Sequence, residues 1–236
     1  MIRLVLGLAM TYCIGILLAG FLEHFFSAWP KAQRDFWQMV LAAIILEIPA
    51  LVWIAFFVRE HDIAWRDAFG LRMSGPPAAV ARGALAGALF LPAAWALQWT
   101  SQVVMEWMRL EPKAQAAVQE LQNPSLTVPN KVIFGIIAIV LAPVVEETLF
   151  RGILYPALKQ RGWPRLALWG TSVLFATLHC NELSFLSLLV LALWLVYLYE
   201  TFENLLVPIA AHAFFNAANF FFLIFNDQLP KQWHLT

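Results

Sequence analysis

The sequence predicts an all-α fold, a polytopic bundle of about seven transmembrane helices, and three observations carry that expectation. Of 236 residues, 61% are hydrophobic and only 13% are charged, where a soluble domain carries roughly 25% charged residues. The mean hydropathy is +0.71. The apolar residues are gathered into runs long enough to cross a hydrocarbon core about 30 Å thick, which takes roughly 20 helical residues.

The first run, Leu4 to Leu22, is longer than a signal-peptide core and lacks a small-x-small cleavage site, so it reads as a retained first span. The second, third and fourth runs are Phe36 to Val58, Gly83 to Val104 and Val132 to Leu158. The fifth, Leu166 to Leu178, is short for a crossing and needs shelter from its neighbours. Leu183 to Tyr199 and Leu205 to Phe225 complete a count of seven, with six and eight as its bounds. No motif is matched in spans one to three. Three regions follow: residues 1–131 as N-terminal helices with a polar insert from Met105 to Lys131, residues 132–225 as a core, and residues 226–236 as a tail. The insert is placed to cap or gate something.

Charge is balanced, with 15 basic and 15 acidic residues, which leaves no basic surplus for a nucleic-acid partner. Cys13 and Cys180 are too few for a disulfide framework or a thiolate metal cluster. Arg59, Arg66, Arg72 and Arg82 lie between spans two and three, and Lys159, Arg161 and Arg165 between four and five. Lys31, Arg34, Arg109, Lys113, Lys131 and Lys231 fall on the other side, a modest bias that favours a cytoplasmic N-terminus. Trp65, Trp95, Trp99, Trp107, Trp163 and Trp233 stand near span ends, as anchors in the headgroup region do.

Ionisable groups inside a span are costly unless paired or hydrated, so each needs an account. In the stretch Glu146-Glu147-Thr148-Leu149-Phe150-Arg151, Glu147 and Arg151 are i and i+4 on one helical face, and Glu146 is turned about 100° away. The arginine therefore neutralises one carboxylate. His179 closes the fifth run, while His212 and Asn216 share a face of the seventh with Asn219 one turn on. Each cluster alone has a bland reading: a boundary salt bridge, an interfacial histidine, a helix-joining polar pair. Two carboxylates, two histidines and an amide on three spans are, together, the composition of a water-activating site. A hairpin near Arg161-Gly162-Trp163-Pro164 brings Glu146 and His179 to similar depths. Glu47, beside Pro49 in span two, is a buried acid expected to pair with Arg82 or another helix, or to line the cavity.

These residues resemble the CAAX-protease and bacteriocin-processing (CPBP, also called Abi) family of intramembrane proteases, which includes the Ras-converting CAAX endopeptidases. The family pattern Glu-Glu-x-x-x-Arg, Phe-x-x-x-His, His-x-x-x-Asn appears complete and in order as Glu146-Glu147-x-x-x-Arg151, Phe175-x-x-x-His179 and His212-x-x-x-Asn216. The resemblance implies an endopeptidase acting on a membrane-embedded or lipidated peptide, near its C-terminus or in a leader or sorting signal. It assigns the oxyanion to His212 and Asn216. Of the acids, Glu146, free of the local arginine, suits the general base, since partial desolvation strengthens a carboxylate as a base. His179 orients the same water, and Glu147 with Arg151 supports the helix. No cofactor is expected. The alternative is zinc on Glu146, His179 and His212, an acceptable ligand set, although His-Glu-x-x-His is missing and Asn216 is a poor zinc ligand. Two other classes compete: a non-proteolytic immunity or assembly factor, and a proton-coupled transporter, for which internal repeats and interrupted helices in both halves would be the sign.

Overall fold

The computed structural model describes residues 2–62, 64–69 and 75–226. Arg72, Lys231, Trp233 and the tail from residue 227 lie outside the described residues. Helices follow in the order α1 (Ile2–Phe25), α2 (Lys31–Glu60), the short α3 (Trp65–Ala68), α4 (Pro76–Trp107), the short α5 (Ala116–Leu121), α6 (Val128–Gln160), α7 (Leu166–Leu178), α8 (Glu182–Phe202) and α9 (Leu206–Asn226). Five of them are long and apolar enough to cross a membrane: α2, α4, α6, α8 and α9. Leu6–Leu22 within α1 and the whole of α7 are apolar but shorter. All seven expected runs are helical, and the chain is an integral membrane protein. Large apolar side chains face outward, among them Leu17, Val52, Leu85, Leu89 and Val140. In a bilayer that outer surface is in its own solvent.

The closest packing is between α4 and α9, and small residues permit it. A Cβ on Gly83 would stand 2.3 Å from the Val207 carbonyl oxygen, and one on Gly87 would stand 2.6 Å from that of Ala211. Glycines four apart thus let the two backbones touch, which is how helices associate where lipid removes the hydrophobic drive. Ala79, Ala86 and Phe90 of α4 enter the main core with Phe175, Leu191, Leu195, Val207 and Ala211. α9, which carries His212 and Asn216, is fixed by this contact.

α6 is one continuous helix interrupted by two π-helical turns, at Ile137–Leu141 and Thr148–Leu154. Each runs up to a proline. A proline at position i offers no N–H and crowds the carbonyl at i−4. Ahead of Pro143, the Ala142 N–H reaches back five residues to the Ile137 carbonyl; ahead of Pro156, Tyr155 N–H does the same to Phe150. The widened turn relieves the proline and strands one carbonyl. At the first, that carbonyl is Ala138, whose α-helical donor has been diverted and whose next candidate is Pro143.

α6 reverses into α7 through Gly162, whose φ of +85° only glycine adopts freely. α8 is capped by Asn181, whose Oδ1 accepts from the Ser184 N–H at 2.9 Å. The Asn181 amide also donates to the Lys113 carbonyl at 2.8 Å, tying the polar insert to the α7–α8 turn. Leu121 and Leu126 of the insert are buried against Phe36 and Val40 of α2 and Phe220 of α9.

Candidate active site

The Glu147 carboxylate is buried, and one oxygen, Oε1, accepts from two sides. Arg151 Nη1 donates at 2.8 Å, the i,i+4 pair expected on this helix; His212 Nδ1 donates at 2.9 Å from α9. The second bond was not read from the sequence, because nothing local relates residues 65 positions apart. Arg151 also donates through Nη2 to the Ala192 carbonyl of α8 at 3.0 Å, and its guanidinium lies 4.8 Å from the centre of the Phe175 ring. One arginine thus ties α6, α7 and α8 together, and Glu147 adds α9. Breaking a buried ion pair by removing one partner typically costs about 3–5 kcal/mol.

Phe175 acts as the hub of this arrangement. Its ring meets His179 at 4.9 Å and His212 at 5.7 Å between centroids, the second contact edge-on. A phenylalanine four residues before a histidine sits on the same helical face, which accounts physically for the spacing Phe175-x-x-x-His179. His179 donates from Nδ1 to the Phe175 carbonyl at 2.8 Å, so its Nε2 is left to face the cavity. His212, with Nδ1 given to Glu147, likewise presents Nε2.

Glu146 differs from Glu147. Its side chain is 24% exposed, and its Oε2 is 3.9 Å from His212 Nε2, beyond hydrogen-bond range. That oxygen is buried and has no protein hydrogen-bond partner among the described residues. Asn216 Nδ2 donates one N–H to the Ala138 carbonyl at 2.8 Å, the group stranded by the π-helical turn. Its other N–H is uncommitted in this pairing.

Glu146, His179, His212 and Asn216 line a single cavity of about 510 Å³, which also meets Glu47, Gln98, Ser184, Ser187 and Asn219. Ala114, Gln115, Ala117, Val118 and Leu121 of the insert form one wall, so the insert covers this cavity. Trp95, expected as a lipid anchor, also borders it and donates to Asn219 Oδ1 at 3.1 Å. Glu47 lines the cavity from α2. Arg82, one partner considered for it, has its guanidinium 5.8 Å from the centre of the Phe202 ring.

Among the described residues, no group of three or more His, Cys, Asp or Glu side chains could hold a metal ion.

Neither the curated proteins nor the solved structures gave a match to the chain. Residues 128–218, which span α6 to most of α9 and hold all three motifs, match the model of the Rce1-like family, type II CAAX prenyl endopeptidase Rce1-like, and it is to this family that the core is similar.

Proposed function

We propose that the protein is an intramembrane endopeptidase that hydrolyses a peptide bond of a membrane-embedded or lipidated substrate with a water activated by Glu146. The observation that carries this reading is the pairing pattern of the two acids. Glu147 is committed through Oε1 to Arg151 and His212 and does not line the cavity, whereas Glu146, one residue away, lines the sheltered cavity with an Oε2 that has no protein partner among the described residues.

Water bound at Glu146 Oε2 loses a proton to the carboxylate, and the hydroxide forms a bond to the scissile carbonyl carbon. The 3.9 Å between that oxygen and His212 Nε2 is too wide for a direct bond, and gaps of this kind are commonly bridged by water. His179 Nε2 steadies the same molecule. The oxyanion is met by the second Asn216 N–H and by His212 Nε2, which donates when the ring is an imidazolium. When the C–N bond breaks, protonated Glu146 returns its proton to the departing amine. The basic loops support an N-terminus in the cytoplasm.

The zinc alternative gives the opposite expectation for metal removal. Purified full-length protein, treated with a strong chelator and shown by elemental analysis to be metal-free, is expected to keep its cleavage rate on a fluorogenic peptide within about twofold. Loss that zinc alone restores would replace glutamate-activated water with metal catalysis. Comparative proteomics of membranes holding the active or the Glu146→Gln protein would then name the substrate as an accumulating precursor.

A further inference from the structure

We infer that α6 and α9 hold one phospholipid with an anionic headgroup, in a groove on the lipid-facing side of the protein and apart from the cavity of Glu146 and His179. The groove measures about 490 Å³, within the range of about 300–1,000 Å³ that small-molecule sites occupy. Its walls are Val132, Ile136 and Ile139 of α6 with Phe220 and Ile224 of α9. Among the described lining residues the only polar side chain is that of Lys131. The lysine shares one face of α6 with the apolar wall, because positions 128, 131, 132, 135, 136 and 139 recur at the helical spacing of three and four. The floor is Gly135, whose bare backbone lies against Phe220: a Cβ there would stand 3.1 Å from Cζ of that ring.

Depth and charge fix the occupant. Val128, Val132, Ile136 and Val140 along this face are each more than half exposed, and in a membrane-spanning bundle such side chains meet acyl chains. From Val128 to Val140 the helix advances about 18 Å at 1.5 Å per residue, close to the depth of one leaflet in a hydrocarbon core about 30 Å thick. Lys131 stands at the outer end, one turn into α6 and directly after the polar insert. An acyl chain laid in the groove therefore brings its own phosphate beside the ammonium group. Lys131 makes no ion pair among the described residues, whereas Lys159, at the other end of α6, is paired with Glu200. A lysine near the membrane surface attracts anionic lipid, and the apolar groove beneath it retains the chain. Phosphatidylcholine suits the site less well, since its own quaternary ammonium offsets the phosphate. Phe220 borders both the groove and the cavity, so the lipid rests on the outer side of a cavity wall.

The test is native mass spectrometry of the delipidated full-length protein in a neutral detergent, titrated with phosphatidylglycerol or with phosphatidylcholine of the same acyl chains. The first phosphatidylglycerol is expected to bind about fivefold more tightly than the first phosphatidylcholine. Lys131→Gln is expected to bring the two lipids within about twofold of each other. Lys113→Gln, at an exposed lysine outside the groove, leaves the preference unchanged. Ile136→Trp fills the groove from an exposed position and is expected to weaken both lipids about tenfold, the loss of roughly two buried methylenes. Val132→Trp repeats that arm one turn nearer the lysine. Glycerophosphoglycerol, the headgroup without its acyl chains, is expected not to displace the lipid when added in excess. The inference is overturned by equal affinities in the wild type, by a preference that survives Lys131→Gln or falls equally with Lys113→Gln, or by displacement with the headgroup alone. It is also overturned by unchanged binding in the tryptophan variants, by failure of both to accumulate, or by a dimer that they dissociate, which would assign the groove to a second copy of the chain.

Discussion

Replacing Glu146 with glutamine is expected to lower kcat/KM on any cleaved peptide by about 10²- to 10⁴-fold, the range assigned to a lost general base. The amide is isosteric with the carboxylate but cannot take the water's proton. Folding should be spared, because the Glu146 Oε2 has no protein partner to lose and the helix-joining bonds belong to Glu147. The check is paired: cleavage of a fluorogenic peptide by purified protein, and membrane abundance by immunoblot. A Glu146→Gln protein that cleaves at the wild-type rate would remove Glu146 as the base. One that fails to accumulate would show the residue to be structural.

The second large effect is on assembly. Gly83→Leu is expected to prevent the protein from accumulating, at a cost of at least about 3 kcal/mol, the upper end of ordinary overpacking. Even a Cβ there would be 2.3 Å from the Val207 carbonyl oxygen and 2.6 Å from the Ala210 Cβ. Both obstacles are on α9, and a helix backbone cannot yield as a flexible side-chain end can. Gly20→Leu is the matched control, since nothing lies within 4 Å of a Cβ at that position. Detergent-solubilised abundance and melting temperature of the two variants measure the difference. Equal stability would mean that α4 and α9 are not held by this contact.

The helical runs were legible because lipid forces the backbone into helices and the apolar stretches are long; all seven fell where hydropathy placed them. The Glu147–Arg151 pair was legible because i,i+4 spacing is a local rule. What stayed hidden is non-local or lies in the departure from ideal helix. Pro143 and Pro156 were visible, but the π-helical turns they induce, and the Ala138 carbonyl that Asn216 consequently satisfies, depend on how the helix absorbs each proline. The His212–Glu147 bond joins helices whose mutual rotation no local periodicity states. Gly83 and Gly87, four apart in an apolar helix, are a packing signal that the sequence carries in plain form. Glu47 stood out as a buried acid, and only the fold turned it toward the cavity.

A double-mutant cycle on kcat/KM reaches the central claim most directly, since it asks whether α6 and α7 act on one water molecule. Glu146→Gln, His179→Ala and the double variant are to be assayed on one peptide in one lipid composition. Residues that serve a single step as a unit are strongly non-additive, so the double variant should be no more than about threefold slower than the slower single variant. Losses that multiply through the double variant would mean that the two residues act independently, and would contradict a shared catalytic water.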